Sequence, residues 1–475
     1  MRRRPAIALV FATSAAILIV EITAGRLLAP YVGVSLETFT AVIGVILAGI
    51  ATGAAVGGRL ADRHDPRRLL GPSLFIGGAL VWVAVPVVRA IGPSMRGEPV
   101  DIVFLATVAF FLPAAALSAV TPIVAKLRLS SLDETGSVFG GLSAAGTFGG
   151  LAGTFLTGFV LVTLLGTRTI MFVVGLLLVV GGIVVEWLLR RRPPTAVAAV
   201  AFLASGLSVY GFAPVCDVET KYSCAEIRVD DDDPSVRSLY LDSTHHARVD
   251  VDDPGNLEIR YIRLLADVAA ALPEGPLDVL HLGGGGFTLP AHLADERPGT
   301  RSHVIEIDPG VVDIARDHLG LQTGTDLTVD ERDARIALPE LDTDAYDLVI
   351  GDAFSGQSVP WHLTTVEVAQ QIDRVLRDGG IYAVNVIDGG DSAFARAELA
   401  TLREVFAHVQ VILPSAEPPT GQRNQILVAS QRPIPPIDPA PLDGVVLDES
   451  FVDGYVGGAE VLTDDHAPVD QLTGR

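Results

Sequence analysis

The chain has 475 residues, with 34 basic and 56 acidic side chains, a formal net charge of −22 and a mean hydropathy of +0.44. A chain this acidic is seldom this apolar unless its acidic and apolar residues lie in different parts of the sequence. Residues 1–213 hold 16 basic and 9 acidic side chains, whereas residues 214–475 hold 18 and 47. This composition excludes a single soluble domain, a disordered chain and a disulfide-rich mini-protein, and the acidic part would be repelled by nucleic acid.

The apolar part, residues 1–213, contains stretches long enough to span a bilayer as helices, which takes about 20 residues each. Seven candidates occur, at 6–28, 38–58, 70–90, 102–125, 140–165, 169–189 and 195–213. We therefore predict an all-α, polytopic membrane bundle of about seven spans. Glycines spaced by four in the second span, Gly49, Gly53 and Gly57, predict close contact with a neighbouring helix.

Loop charges predict the orientation of this bundle. The loops on one side carry 12 Lys and Arg residues and those on the other side carry 4. Because basic loops stay in the cytoplasm, the N-terminus is expected there. Seven spans then place residues 214–475 outside the cytoplasm, whereas six or eight would place them inside. We predict a multi-pass cell-membrane protein, in contact with the lipid bilayer, whose C-terminal domain is extracytoplasmic.

A connector and small β-region is predicted over 214–252, and it contains both cysteines of the chain. Cys216 and Cys224 lie eight residues apart, just after the last predicted span. A disulfide is the economical interpretation and fits an oxidising compartment. Two free thiols and half of a metal site are the alternatives. His245 and His246 lie further along the chain, but no cluster completes a metal site, so no metal is expected.

Short apolar runs alternate with helical stretches over 253–475, which predicts a parallel, doubly wound sheet. The predicted strands are 277–282, 303–307, 327–329, 346–350 and 381–386, with a pair at the far edge at 409–413 and 425–429. Helices are predicted at 288–295, 310–318 and 363–377.

Glycines and carboxylates follow four of these strands. They are Gly283, Gly284, Gly285 and Gly286, then Glu306, Asp333 and Asp352. In such a sheet the ligand lies beyond the carboxyl ends of the strands. Glycines admit a ligand close to the backbone, an acid after the second strand can accept hydrogen bonds from ribose hydroxyls, and Asp333 could accept one from an adenine amino group. A nucleoside pocket is the prediction, with solvated loop carboxylates as the alternative.

These residues carry a resemblance to the spermidine synthase (polyamine aminopropyltransferase) family, and the whole chain resembles its membrane-fused members. The matching segments are Leu241-Asp242 with Tyr261, the glycine turn, 304–308, Asp333-Ala334 and 346–352 in the polar part, 21–30 and 57–63 in the first two helices, and 463–469 near the C-terminus.

The resemblance implies a Rossmann-like, methyltransferase-type α/β domain behind a small β-region at about 222–252. It implies aminopropyl transfer from decarboxylated S-adenosylmethionine, as co-substrate rather than tightly bound cofactor, to a diamine. The residues that would face the nucleoside are Gly283, Gly284, Gly285, Glu306, Asp333 and Ala334. Tyr261 and Ser355 would face the amine. Asp352 would orient the amine and take its proton. Apart from the resemblance, the sequence is compatible with a homo-oligomer.

Three positions depart from the family pattern. The glycine motif of the family is G-G-G-D-G, but Gly286 stands in place of its aspartate, and Ser355 replaces the second aspartate of its D-x-x-D motif. Ile262 stands where the family usually has His or Gln. Each charged hydrogen bond is worth about 1.5–3 kcal/mol, so we expect weak transfer to putrescine. Restoring both aspartates should raise diamine affinity, provided that the glycine turn tolerates one.

Two functions from different classes therefore remain. The first is a membrane-tethered aminopropyltransferase, or a transferase that uses a related sulfonium nucleoside and another acceptor. The second is a non-enzymatic transporter or scaffold whose outer domain senses a nucleoside or a polyamine. Asp352 favours the enzyme, whereas the missing carboxylates and the cysteine pair favour the second function.

Overall fold

The computed structural model describes residues 3–33, 35–95, 99–129, 134–190, 216–242, 244–353, 359–389, 391–413, 423–438, 444–447 and 449–473. The chain divides into two compact units, Met1–Val215 and Cys216–Arg475. The boundary lies two residues after the end of the predicted membrane domain. The predicted seventh span, 195–213, lies outside the described residues, as does Ser355.

Six helices within the described part of the first unit are long and apolar enough to cross a membrane. They are Arg3–Val32, Leu36–Arg63, Pro66–Ser94, Pro99–Arg128, Thr135–Leu164 and Thr167–Leu189. The first six predicted spans are thereby confirmed as helices. Their α-helical segments are α1 (Arg3–Val32), α2 (Leu36–Arg63), α3 (Leu70–Ile91), α4 (Pro99–Ala106), α5 (Leu112–Ser118), α6 (Val120–Arg128), α7 (Thr135–Leu156), α8 (Val162–Leu164) and α9 (Thr167–Arg190).

Two of the spans contain a five-residue π-helical segment. One, Thr107–Phe111, joins α4 to α5, and the other, Thr157–Leu161, joins α7 to α8. Pro113 lies two residues after the first segment. Its ring has no N–H and clashes with the carbonyl one turn back, so the wider π turn accommodates it without ending the span.

The glycine row of α2 packs against α5. An added Cβ on Gly53 would lie 2.0 Å from the Ala115 carbonyl oxygen and 2.2 Å from Ser118 Oγ. The Ser118 hydroxyl also donates a hydrogen bond to the Ile50 carbonyl at 3.0 Å. Only glycine permits this approach of the two backbones, which is the packing that the four-residue spacing predicts.

The second unit opens with a four-stranded antiparallel sheet. Its strands are β1 (Val218–Glu219), β2 (Cys224–Val229), β3 (Val236–Leu241) and β4 (Thr244–Asp250), adjacent in that order. Glu219 pairs with Cys224 across the β1–β2 hairpin. Cys216 and Cys224 form a disulfide with Cα atoms 5.6 Å apart, which closes this hairpin.

An eight-stranded sheet forms the centre of the second unit, in the order β12-β10-β11-β9-β8-β5-β6-β7. Its strands are β5 (Asp278–Leu282), β6 (Arg301–Glu306), β7 (Leu327–Glu331), β8 (Tyr346–Gly351), β9 (Leu376–Asp388), β10 (His408–Leu413), β11 (Arg423–Ser430) and β12 (Val445–Leu447). The predicted parallel arrangement holds for β5 to β9. The far edge is antiparallel, and β12 has no counterpart among the predicted strands.

Helices cover both faces of this sheet. They are α10 (Arg260–Ala271), α11 (Thr288–Glu296), α12 (Pro309–His318), α13 (Ala334–Ala337), α14 (Val366–Val375), α15 (Ala393–Arg403), α16 (Glu449–Val456) and α17 (Val469–Leu472). In β8, Leu348 and Ile350 join one apolar cluster and Val349 joins the other, because successive side chains point to opposite faces. The prediction that a helix extends to residue 377 is wrong, since β9 begins at Leu376.

Candidate active site

The carboxyl ends of four adjacent parallel strands bring the predicted residues together. The glycine turn follows β5, Glu306 ends β6, and Asp333 and Asp352 follow β7 and β8. Two cavities open at this edge. The first, of about 280 Å³, is lined by Glu306, Asp333 and Ala334, and the second, of about 400 Å³, is lined by Tyr261, His281 and Asn385. Both cavities are lined by His246, Gly283, Gly285 and Asp352.

Glu306 is fixed in the wall of the first cavity. The residue is 8% exposed. Its two carboxylate oxygens accept hydrogen bonds from the backbone N–H groups of Gly284, at 2.8 Å, and Asp308, at 2.9 Å. Burial raises the pKa of the Glu306 carboxyl, and these two backbone bonds oppose that rise. Each carboxylate oxygen keeps a lone pair that can accept a further hydrogen bond from a ligand hydroxyl.

Asp333 lines the first cavity, and both of its carboxylate oxygens already have partners within the protein. One oxygen caps the short helix α13 by accepting from the Arg335 N–H at 2.7 Å. The other lies 3.3 Å from His362 Nε2. Since His362 also lines the first cavity, the Asp333–His362 pair offers a ligand both a carboxylate and an imidazole.

The packing of the glycine turn, residues 283–286, accounts for one departure from the family pattern, the glycine at position 286. Gly283 has a φ of +101°, which favours glycine. An added Cβ on Gly286 would lie 2.3 Å from Ala247 Cβ and 3.0 Å from Val249 Cγ2, both in β4. An aspartate therefore does not fit at position 286 without displacing that strand. The condition attached to restoring both aspartates, that the glycine turn tolerates one, is therefore not met at position 286.

Asp352 occupies the junction of the two cavities. Its carboxylate accepts hydrogen bonds from the Tyr261 hydroxyl at 3.1 Å and from Asn385 Nδ2 at 2.8 Å. Asn424 Nδ2 in turn donates to Asn385 Oδ1 at 2.9 Å. Burial raises the pKa of Asp352 to about 6, although both hydrogen bonds lower it. The group can thus lose and regain a proton near neutral pH.

The disulfide hairpin forms another wall of the first cavity. Tyr222 and Ser223, between β1 and β2, line this cavity. The Thr220 hydroxyl donates a short hydrogen bond to the Asp308 carboxylate. Asp308 also caps α12 by accepting from the Gly310 N–H at 3.0 Å. The small sheet is therefore anchored to the loop that fixes Glu306.

Each residue predicted to contact the nucleoside or the amine, within the described part of the chain, lines a cavity. Gly283, Gly285, Glu306, Asp333, Ala334 and Asp352 line the first, and Gly284 and Tyr261 line the second. Sequence reasoning missed Asn385, Asn424, His362 and Thr288, and it considered His246 only as a metal ligand. The strand-end rule could have found Asn385, which lies near the end of β9. Nothing local in the sequence marks Asn424, His362 or Thr288.

Comparisons with known proteins agree with this division of the chain. The family model described as Major Facilitator Superfamily matches residues 6–215. A polyamine aminopropyltransferase of Vibrio vulnificus is 32% identical over 133 residues, which are 28% of this chain and 44% of that protein. A polyamine aminopropyltransferase of Chromobacterium violaceum is 26% identical over 184 residues, which are 38% of this chain and 69% of that protein.

A solved structure extends the likeness to just over half of the chain. The crystal structure of a probable spermidine synthase from Corynebacterium glutamicum superposes with a TM-score of 0.50 at 27% identity. The match covers 54% of this chain and 99% of that one. The chain spans less than half of the length of the Vibrio relative. The relatives of the polar part are transferases, so they do not favour a non-enzymatic sensing domain.

The protein is therefore a multi-pass membrane protein in which a membrane-type N-terminal region is fused to a spermidine synthase-like C-terminal domain.

Proposed function

We propose that the protein is an aminopropyltransferase-like enzyme that moves an aminopropyl group from decarboxylated S-adenosylmethionine to an amine. The observation that carries this proposal is the position of Asp352, which lies between two cavities and is held by Tyr261 and Asn385. One cavity has the carboxylates suited to a nucleoside, and the other has room for an acceptor. A group at their junction can meet both reactants.

The reaction is a direct displacement. The lone pair of the acceptor nitrogen forms a bond to the carbon beside the sulfonium sulfur, and the carbon–sulfur bond breaks with its electron pair going to sulfur. Methylthioadenosine leaves as a neutral thioether, and the positive charge passes to the new secondary ammonium group, which gives up one proton. Asp352 orients the attacking nitrogen and accepts that proton. Holding both reactants in line is the other main contribution of the site.

The first cavity holds the nucleoside in this proposal. Glu306 accepts hydrogen bonds from the ribose hydroxyls, since its backbone partners already fix its orientation. Asp333 and His362 lie where the adenine edge would be recognised. The turn at Gly283 lets the backbone approach the ligand closely.

The first test is nucleoside binding to the full-length protein in detergent, measured by calorimetry with methylthioadenosine. We expect binding, and we expect Glu306→Gln to weaken it by about 1.5–3 kcal/mol, the range for a lost charged hydrogen bond. Glu296→Gln is the matched control, because Glu296 is exposed at the end of α11. Absence of heat with methylthioadenosine and with S-adenosyl compounds would refute the nucleoside site.

Methyl transfer is a second candidate, favoured by one observation. Gly286 stands where the family places the aspartate that helps to hold the aminopropyl nitrogen, and β4 leaves no room for it. The products distinguish the two reactions. Aminopropyl transfer releases methylthioadenosine, whereas methyl transfer from S-adenosylmethionine releases S-adenosylhomocysteine. Release of the second product alone would replace the first proposal.

A further inference from the structure

The segment 216–223 of the disulfide hairpin supplies a wall of the first cavity but packs poorly against the rest of the unit. Tyr222 and Ser223 line this cavity, and Cys224 follows them directly in the chain. Within the segment, all of which the structure describes, only Thr220 is buried. A segment with so few buried side chains opens locally at a small cost in free energy. The wall therefore depends on the contacts that restrain this segment.

The restraints are non-covalent contacts and one covalent bond. The β1 strand pairs with β2 at two residues. The Thr220 hydroxyl donates a hydrogen bond to the Asp308 carboxylate, and Thr220 Cβ lies 2.7 Å from the place that an added Cβ on Gly310 would take. The covalent bond is the Cys216–Cys224 disulfide, which joins the start of the segment to β2. The disulfide is the restraint in this set that a reductant can remove.

A dithiol can open this disulfide by thiol–disulfide exchange. Neither Cys216 nor Cys224 is buried. A thiolate of the dithiol attacks one sulfur, and its second thiol then displaces the other protein sulfur. The dithiol becomes a cyclic disulfide, and the protein gains two electrons and two protons as two thiols. The chain has no other cysteine, so neither thiol can pair elsewhere within it.

Reduction leaves the segment 216–223 fixed firmly at one end. That end is β2, which pairs with β3 over five residues. The other end is Cys216, the first residue of the second unit. A loop that is no longer closed by a bond reaches many more conformations, which favours its open states. Tyr222 and Ser223 then leave the cavity for a larger fraction of the time.

We propose that the Cys216–Cys224 disulfide is a redox switch for nucleoside binding. The oxidised hairpin holds Tyr222 and Ser223 in the wall of the first cavity. The reduced hairpin opens and weakens the binding of the nucleoside. Because the nucleoside binds to the closed hairpin, it must also protect the hairpin from opening. The inference rests on the proposed transferase function and names a regulation of the same site.

An endoproteinase that cleaves only after lysine measures the opening of the hairpin. The chain has two lysines: Lys221 lies in the hairpin, and Lys126 lies near the end of α6 and serves as an internal control. In the full-length protein in detergent, dithiothreitol should accelerate cleavage after Lys221 by about tenfold or more and leave cleavage after Lys126 unchanged. Saturating methylthioadenosine should slow cleavage after Lys221 in the oxidised protein. Equal rates after Lys221 in the two redox states would overturn the switch.

Calorimetry with methylthioadenosine measures the effect on binding. We expect the reduced protein to bind about fivefold or more weakly than the oxidised protein, and reoxidation to restore the affinity. The Cys216→Ser/Cys224→Ser variant should bind like the reduced protein, with or without dithiothreitol. A loss of binding that reoxidation does not reverse is unfolding and would overturn the switch.

A matched pair of tyrosine variants tests whether the hairpin wall causes the effect. Tyr222→Ala should weaken binding by the oxidised protein and remove most of the redox response, because the wall is already incomplete. Tyr240 lies in β3 of the same small sheet and lines neither cavity, so Tyr240→Ala should keep the full response. A full response in Tyr222→Ala would assign the effect to another part of the domain.

Failure of the inference differs from failure of the proposed function. Equal methylthioadenosine affinity in the oxidised and reduced protein overturns the switch and leaves the nucleoside site intact. Absence of binding in both redox states refutes the nucleoside site, and the switch is overturned with it, whatever the cleavage rates after Lys221.

Discussion

At the residue scale, Asp352 combines two properties that a proton acceptor needs. Its two hydrogen-bond donors, Tyr261 and Asn385, fix the direction of the carboxylate. Burial raises its pKa to about 6, so that it is ionised at neutral pH yet basic enough to take a proton. The Tyr261 hydroxyl stays protonated, because burial and the neighbouring carboxylate raise its pKa.

The pH dependence of transfer follows from this pKa. The acceptor must lose a proton to attack, so kcat/KM should rise about tenfold per pH unit on that account. Asp352 must be ionised as well, and it becomes protonated as the pH falls through about 6. The slope of log kcat/KM should therefore steepen from about one to about two below pH 6.

Asp352→Asn should remove this break and lower kcat by about 10²–10⁴-fold, the usual range for a lost general base. Methylthioadenosine affinity should stay within about threefold of that of the native protein, since the first cavity keeps Glu306. A break near pH 6 that persists in the Asn variant would assign the titration to another group.

At the element scale, close backbone contacts limit which side chains the chain can have at particular positions. In the membrane region, Gly53 of α2 lies against the Ala115 carbonyl of α5. In the second unit, Gly286 lies against Ala247 of β4. In both cases a neighbouring backbone or Cβ occupies the place of a side chain. The same type of contact packs two helices in the bundle and excludes a side chain from position 286 at the site.

The contact in the bundle predicts a pair of unequal substitutions. Gly53→Ala should destabilise the protein by about 1–3 kcal/mol, because the added methyl overpacks the α2–α5 contact. Gly44→Ala in the same helix meets nothing within 4 Å and should be neutral or slightly stabilising. Thermal unfolding of the detergent-solubilised variants measures both. Equal midpoints for the two variants would contradict the close packing of α2 on α5.

At the scale of the whole molecule, the side of the membrane on which the second unit lies determines which reactants it meets. Six spans lie in the described part of the chain, and the predicted seventh, 195–213, precedes Cys216. The loops on one side carry 12 Lys and Arg residues and those on the other carry 4, which predicts a cytoplasmic N-terminus. We propose that the second unit lies outside, where the Cys216–Cys224 disulfide would be stable.

A fluorescent reporter that matures only in the cytoplasm, fused after Arg475, should stay dark. Alkaline phosphatase at the same position, which is active only outside, should be active. Mass mapping without reductant should recover Cys216 linked to Cys224. A bright fusion together with two free thiols would place the second unit in the cytoplasm.

The sequence by itself determined the two-part composition, the first six spans, the parallel strands and the acids at their carboxyl ends. These features depend on local periodicity, on charge segregation and on the rule that parallel strands end at one edge. Glu306, Asp333 and Asp352 could be found for that reason.

Only the tertiary structure decided which polar groups surround Asp352 in the second cavity. Asn424 reaches Asp352 through Asn385 because β11 pairs antiparallel with β9, a pairing between segments far apart in sequence. The exclusion of an aspartate at position 286 depends on the packing of β4, about 40 residues earlier in the chain. Asp352, Asn385 and Asn424 meet only after such distant segments pack, because no local pattern encodes a contact between elements.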